Sequence, residues 1–105
     1  MDAQLLKGVL EGCVLGIVSQ KETYGYEILS KIDQAGFQEI CEGSLYPILT
    51  RLHKNGFISC RKAKSPLGPI RKYYAITSSG EKKLQSFYRD FEEIISAVNQ
   101  IKEEK

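Results

Sequence analysis

Between Gly43 and Gly80 the chain places seven cations, Arg51, Lys54, Arg61, Lys62, Lys64, Arg71 and Lys72, and not one acid. The flanks reverse the balance, with three basic against seven acidic residues from Met1 to Glu42 and five against six from Glu81 to Lys105. A net charge of +2 therefore conceals a strongly positive middle third. Guanidinium and ammonium groups gathered this way bind phosphate, through charge-assisted hydrogen bonds and through release of the counterions a polyanion condenses. A solvated basic face without a partner is the plainer alternative, but seven cations with no anion between them make an uncommon form of it.

The other reactive side chains do not assemble a second chemistry. Cys13, Cys41 and Cys60 are odd in number, far apart and form no Cys-x-x-Cys, which fits free thiols in a reducing, cytoplasmic setting. His53 is the single histidine, so no zinc site of ordinary spacing is expected. Paired with Cys41 or Cys60, it lacks a third orienting group and an oxyanion motif. No enzyme, metal or cofactor is expected. Nor does a signal peptide or a bilayer-long apolar run stand out, so no membrane partner is expected either. With 105 residues the chain suits one domain of modest core.

The elements that must position the cations begin with Gly43–Gly56, which reads as one helix. Ser44 is placed to cap it and Pro47 to fall in its first turn, where a missing N–H costs nothing. Gly56 supplies a left-handed stop. Leu45, Ile48, Leu49 and Leu52 fall at i, i+3, i+4 and i+7 on one buried stripe. The other side shows Pro47, Thr50 and Lys54, flanked by Tyr46 and Arg51. Upstream, a helix over about Tyr24–Ala35 ends at Gly36, and Tyr24 and Tyr26 place hydroxyls near its N-terminus, a ready anion site. Both tyrosines could equally roof the core. Two helices joined by a short connector, the second with an exposed basic face, make a helix-turn-helix. Beyond Gly56 the period drops to two. Strands over Phe57–Ala63 and Ile70–Thr77 flank a Ser65–Pro69 turn, giving a hairpin ringed by Lys62, Lys64, Arg71 and Lys72, a wing beside the helix-turn-helix.

Both ends read as helix. From about Ala3 to Ser19 the first helix is apolar nearly all round, which asks for cover on more than one side, and in so small a chain a partner subunit is the expected cover. Gly8, Gly12 and Gly16 make a smooth flank for a neighbouring helix. The last helix starts at Thr77 or Ser78, with Ser78–Glu81 at capping-box spacing and Thr77 competing. Along it Leu84, Tyr88, Phe91, Ile95 and Val98 step as a heptad seam, widened by Phe87 and Ile94. Such a stripe would be an apolar patch on a monomer. A homodimer would bury it, with Leu5, Leu6 and Val9 of the first helix, Leu84, Phe87, Tyr88, Phe91, Ile94, Ile95 and Val98 as interface residues.

These residues now carry a family resemblance. Leu-x-Gly-x-Leu at Leu6–Leu10, Tyr-Gly-Tyr-Glu-Ile at Tyr24–Ile28 and Gly-Ser-Leu-Tyr-Pro-x-Leu-x-Arg-Leu at Gly43–Leu52 follow in order. Asn-Gly at Asn55–Gly56, Gly-Pro-x-Arg-Lys-Tyr-Tyr at Gly68–Tyr74 and Thr-x-x-Gly at Thr77–Gly80 complete the set. Together they resemble the PadR family, bacterial regulators named for control of phenolic acid decarboxylase. The resemblance implies a mainly α fold with a small β-hairpin (α+β). Residues 1–80 would form the winged helix-turn-helix and 81–105 a dimerisation helix, in one compact unit. It implies a homodimer that usually represses transcription from an inverted-repeat operator on double-stranded DNA. Carried over by position, Ser44, Tyr46, Pro47 and Arg51 would lie at the DNA, with Arg71 and Lys72 on the wing. Some short relatives stack planar drugs between tryptophans at the dimer interface. This chain has no Trp, although Phe87, Tyr88 and Phe91 offer walls for a small apolar or aromatic effector. A winged-helix module that binds protein rather than DNA is the alternative.

Overall fold

A computed structural model describes residues 1–104. Four helices and three strands run in the order α1 (Ala3–Gln20), β1 (Thr23–Tyr24), α2 (Gly25–Gln34), α3 (Glu42–Lys54), β2 (Ile58–Lys64), β3 (Ile70–Ile76) and α4 (Ser78–Glu103). The fold is mixed α+β, a winged helix-turn-helix in which α2 and α3 are the helical pair and β2–β3 the wing. The aliphatic stripe of α3 closes the core. Leu45, Leu49 and Leu52 are almost fully buried, packed with Ile28 and Ile32 of α2, Val14, Leu15 and Val18 of α1, and Ile58 and Tyr74 of the sheet. Each such side chain contributes about 1.5–3 kcal/mol of transfer free energy, so the spacing that lines them up also fixes which face of α3 remains outside.

The boundaries of α3 differ from the sequence expectation at its start. Cys41, in extended backbone, holds the N-cap position with no side-chain cap hydrogen bond, and Glu42 opens the helix. An acid in the first turn suits the positive end of the helix dipole. Ser44 is therefore not the cap but the third helical residue, its amide bonded to the Cys41 carbonyl at 3.0 Å. Pro47 accordingly lies in the second turn, where it cannot donate to the Gly43 carbonyl. The far end is as expected. Gly56 takes φ +80°, its amide meets the His53 carbonyl at 3.0 Å, and the Phe57 amide meets Leu52 at 2.9 Å. Gly36 closes α2 in the same way, at φ +108°.

A short strand, β1, takes in Tyr24, where the sequence reading began the second helix; that helix opens at Gly25 instead. Thr23 and Tyr24 pair with Tyr74 and Tyr73, making β3 the middle of a three-stranded antiparallel sheet ordered β1-β3-β2. Two residues show no periodicity of their own, which is why the strand was not legible. In β2–β3 the register sets Ile58 opposite Ile76, Cys60 opposite Tyr74 and Lys62 opposite Lys72.

At the start of α4 the competition for the cap resolves to Thr77. Its hydroxyl accepts from the Gly80 amide at 3.0 Å and donates to the Gly56 carbonyl at 2.6 Å. Ser79 donates to that same carbonyl at 2.9 Å. The Ser78–Glu81 capping box does not form, because the tertiary tie to Gly56 selects the residue one position earlier.

The cover over α1 also differs from the expectation. Much of it comes from the chain's own α4, laid along the glycine flank. A Cβ on Gly12 would collide with the Phe87 ring, and one on Gly16 would lie 2.7 Å from the Tyr88 hydroxyl. Leu84 is buried at 4% exposure inside this contact. The first part of the heptad seam is thus occupied within one chain. The remainder runs outward along a helix of about 39 Å, giving the molecule extents of 59 × 30 × 20 Å.

Candidate nucleic-acid interface

With its aliphatic stripe in the core, α3 turns Ser44, Tyr46, Pro47, Thr50, Arg51 and Lys54 to solvent. Tyr46 is held rather than loose. Its hydroxyl approaches the start of α2 so closely that a Cβ on Gly25 would lie 3.1 Å away, which explains a glycine in Tyr24-Gly25-Tyr26. Gly25 thereby lets the two helices of the pair meet. Thr50 donates its hydroxyl back to the Tyr46 carbonyl at 2.9 Å. Arg51 reaches the other way, across to α1, where its Nη2 lies 3.2 Å from Glu11 Oε2. An exposed pair of this kind is worth about 0–1 kcal/mol and exchanges readily for another anion.

The wing separates its cations by face. Strand alternation and the pairing register put Lys62, Lys64 and Lys72 on the side of Ile58 and Tyr74, beyond the edge of the core, and Arg61, Arg71 and Tyr73 on the other side. Lys62 and Lys72 stand directly opposite each other, an unfavourable like-charge pair unless an anion sits between them. Among the described residues Lys54, Lys62, Lys64, Arg71 and Lys72 make no ion pair. The tip is apolar, with Leu67 96% and Ile70 72% exposed. Tyr26 stands 75% exposed near the start of α2. Tyr24 is half-buried and sits beneath Arg71, whose Cζ lies 3.9 Å from the ring centre.

Sequence reasoning collected the cations but not what they touch. Arg61 is one of the seven cations but not of those ringing the wing, and nothing in the sequence singles out Glu11 or Glu22. Glu22 holds Arg61 through two hydrogen bonds, of 2.7 Å to Nε and 2.6 Å to Nη2. No local signal marks these partners, which lie 39 or 40 residues apart in the chain.

A second surface lies along the far part of α4. Leu5, Leu6 and Val9 of α1 face Phe91, Ile94, Ile95 and Val98 across an open apolar trough of about 480 Å³. Leu5, Ile94 and Val98 are each more than half exposed. Phe87 and Tyr88 are drawn against α1 instead, beside Gly12 and Gly16.

This architecture defines a winged helix-turn-helix regulator. Residues 14–86 match the profile of the transcriptional regulator PadR-like family, and the chain belongs to that family. It is a transcriptional regulator and not an enzyme. A crystal structure of a PadR-like transcriptional regulator from Bacillus cereus strain ATCC 14579 is 44% identical and superposes with a TM-score of 0.87, covering 98% of this chain and 100% of that one. An uncharacterised protein of Lysinibacillus sphaericus is 31% identical over 100 residues, 92% of this chain and 91% of that protein. The negative transcriptional regulator PadR of Bacillus subtilis is 31% identical over 81 residues, 75% of this chain; the match spans only 44% of that longer protein. The crystal structure of Bacillus subtilis PadR in complex with operator DNA superposes with a TM-score of 0.69 at 29% identity, over 76% of this chain and 46% of that one. No helix among the described residues is long and apolar enough to cross a membrane.

Proposed function

We propose that the protein represses transcription by binding an inverted-repeat operator as a homodimer. The observation that carries this reading is the exposed face of α3 beside a wing whose lysines make no ion pair among the described residues. In this reading α3 enters the major groove, with Ser44, Tyr46, Pro47 and Thr50 near its opening turns and Arg51 and Lys54 toward base edges or phosphates. Lys62, Lys64 and Lys72 follow the backbone beside it. The likeness to a PadR solved with operator DNA supports the same docking. A two-fold axis through the trough sets two copies of α3 on half-sites about one helical turn apart, or a small multiple of it. A small apolar or aromatic effector fits the trough beside Phe91, where it would alter the angle between the two α4 helices.

Fluorescence anisotropy on the intergenic DNA upstream of the protein's own gene, across a salt series, tests this. If the dimer neutralises about six phosphates, affinity falls roughly as the fifth power of salt concentration. Preference for that fragment over scrambled DNA is the expected result. A folded dimer that binds neither DNA at low salt would leave the protein-binding module as the reading.

A further inference from the structure

The outer face of the sheet carries a continuous run of contacts that DNA binding does not explain. Register aligns Tyr24, Tyr73 and Arg61 in one row across β1, β3 and β2. The Tyr24 and Tyr73 rings meet edge to face at 5.8 Å, and the Arg61 guanidinium lies 4.9 Å from the centre of Tyr73. Glu22, just before β1, grips Arg61 with both carboxylate oxygens. Arg71, two residues along β3, lies over Tyr24 at 3.9 Å.

This row sits at a weak point of the fold. β1 joins the sheet through two residue pairs only, and it leads directly into α2. Backbone pairing that short does little to fix the angle between a hairpin and a helix pair. The side chains span the same junction at both ends, from Glu22 to β2 and from Tyr24 to β3. Their chemistry fits a brace. Arginine is used where a planar group must stack and meet a carboxylate in two places, while the opposite face, free of acids, uses lysine throughout. The Arg61 guanidinium also holds the Glu22 carboxyl below the usual carboxylate range, so the grip is charged at neutral pH.

We propose that Glu22, Arg61, Tyr73, Tyr24 and Arg71 form a brace that sets the angle of the wing, and that Arg61 and Arg71 support DNA binding as positioning residues rather than as phosphate contacts. The inference rests on the DNA-binding reading above and departs from the sequence expectation for Tyr24 and Arg71.

Three conservative variants test it, because charge alone and a brace predict opposite results. Removing an acid near the interface by Glu22→Gln should tighten DNA binding if only electrostatics matters, and Arg61→Lys and Arg71→Lys should leave it unchanged. The brace predicts that each raises Kd about fivefold with the salt slope of the parent, since no phosphate contact is lost. Lys72→Ala supplies the contrast, with a slope reduced by about one for each copy in the dimer. Tighter or unchanged binding by Glu22→Gln overturns the brace, as does unchanged binding by both lysine variants. Amide hydrogen exchange without DNA decides the matter independently. Wing amides between Lys62 and Lys72 should exchange at least about threefold faster in Glu22→Gln, and equal rates overturn the proposal. Should the parent protein fail to bind the upstream DNA, the operator reading falls, and the exchange result still decides whether the brace exists.

Discussion

At the scale of single residues, function depends on which charged groups are already engaged. Arg51 is exposed, yet bound to Glu11 at 3.2 Å, so entering a groove means exchanging one carboxylate for another acceptor. Glu11→Gln should lower the Kd for operator DNA about two- to threefold, read by anisotropy at fixed salt. An unchanged or weaker affinity would mean that Arg51 serves α1 and not the DNA. Cys41 presents a second test. The amides of Ser44 and Gly43, at the opening of α3, hold its thiol below the ordinary value, whereas burial pushes Cys13 up. The reactive thiolate of Cys41 therefore forms at lower pH than that of an ordinary thiol. Iodoacetamide followed by mass spectrometry should modify Cys41 first and Cys13 last, with Cys41 labelling persisting as the pH is lowered. The cations and thiols were legible as residue types in the sequence. Their partners were not, since Glu11 and Glu22 reach Arg51 and Arg61 only once distant elements are packed.

At the scale of elements, the glycine flank of α1 distinguishes packing from propensity. Gly8, Gly12 and Gly16 look equivalent in the sequence, but a side chain meets Phe87 at Gly12 and open space at Gly8. Gly12→Ala should destabilise the fold by about 1–3 kcal/mol through overpacking. Gly8→Ala should leave stability unchanged or raise it by about 0.5–1 kcal/mol, because alanine orders a helix at lower entropic cost. Chemical denaturation of both variants checks the pair, and equal effects would mean that α1 and α4 are not seated as described. Periodicity revealed α1 to α4 and the hairpin because each repeats its pattern over several turns or residues. It could not reveal β1, two residues long. It misjudged the start of α3, where Ser44 and Pro47 resemble a cap and first turn but the cap falls three residues earlier, at Cys41, with Glu42 opening the helix.

At the scale of the whole molecule, the long α4 carries two functions in succession. Its first part, through Leu84 and Phe87, holds α1; its second, through Phe91, Ile94, Ile95 and Val98, borders a trough open to solvent. The heptad seam was legible in the sequence, but a stripe does not say whether its own chain or a second one covers it, so Leu84 was expected at the partner. On the homodimer proposed above, Ile95→Asp should give a monomer in analytical ultracentrifugation while leaving helix content intact. DNA affinity should then fall at least about tenfold, because each half-site is bound alone. A dimer that survives this change would place the two-fold axis elsewhere.

The single carbonyl of Gly56, accepting from Thr77 and Ser79, ties the end of α3 to the beginning of α4. From this junction it is about 15 Å back along α3 to Tyr46 and about 30 Å out along α4 to Val98. In the dimer proposed above, this junction is the joint through which a change in the seating of α4 at the trough would reach the DNA-facing helix.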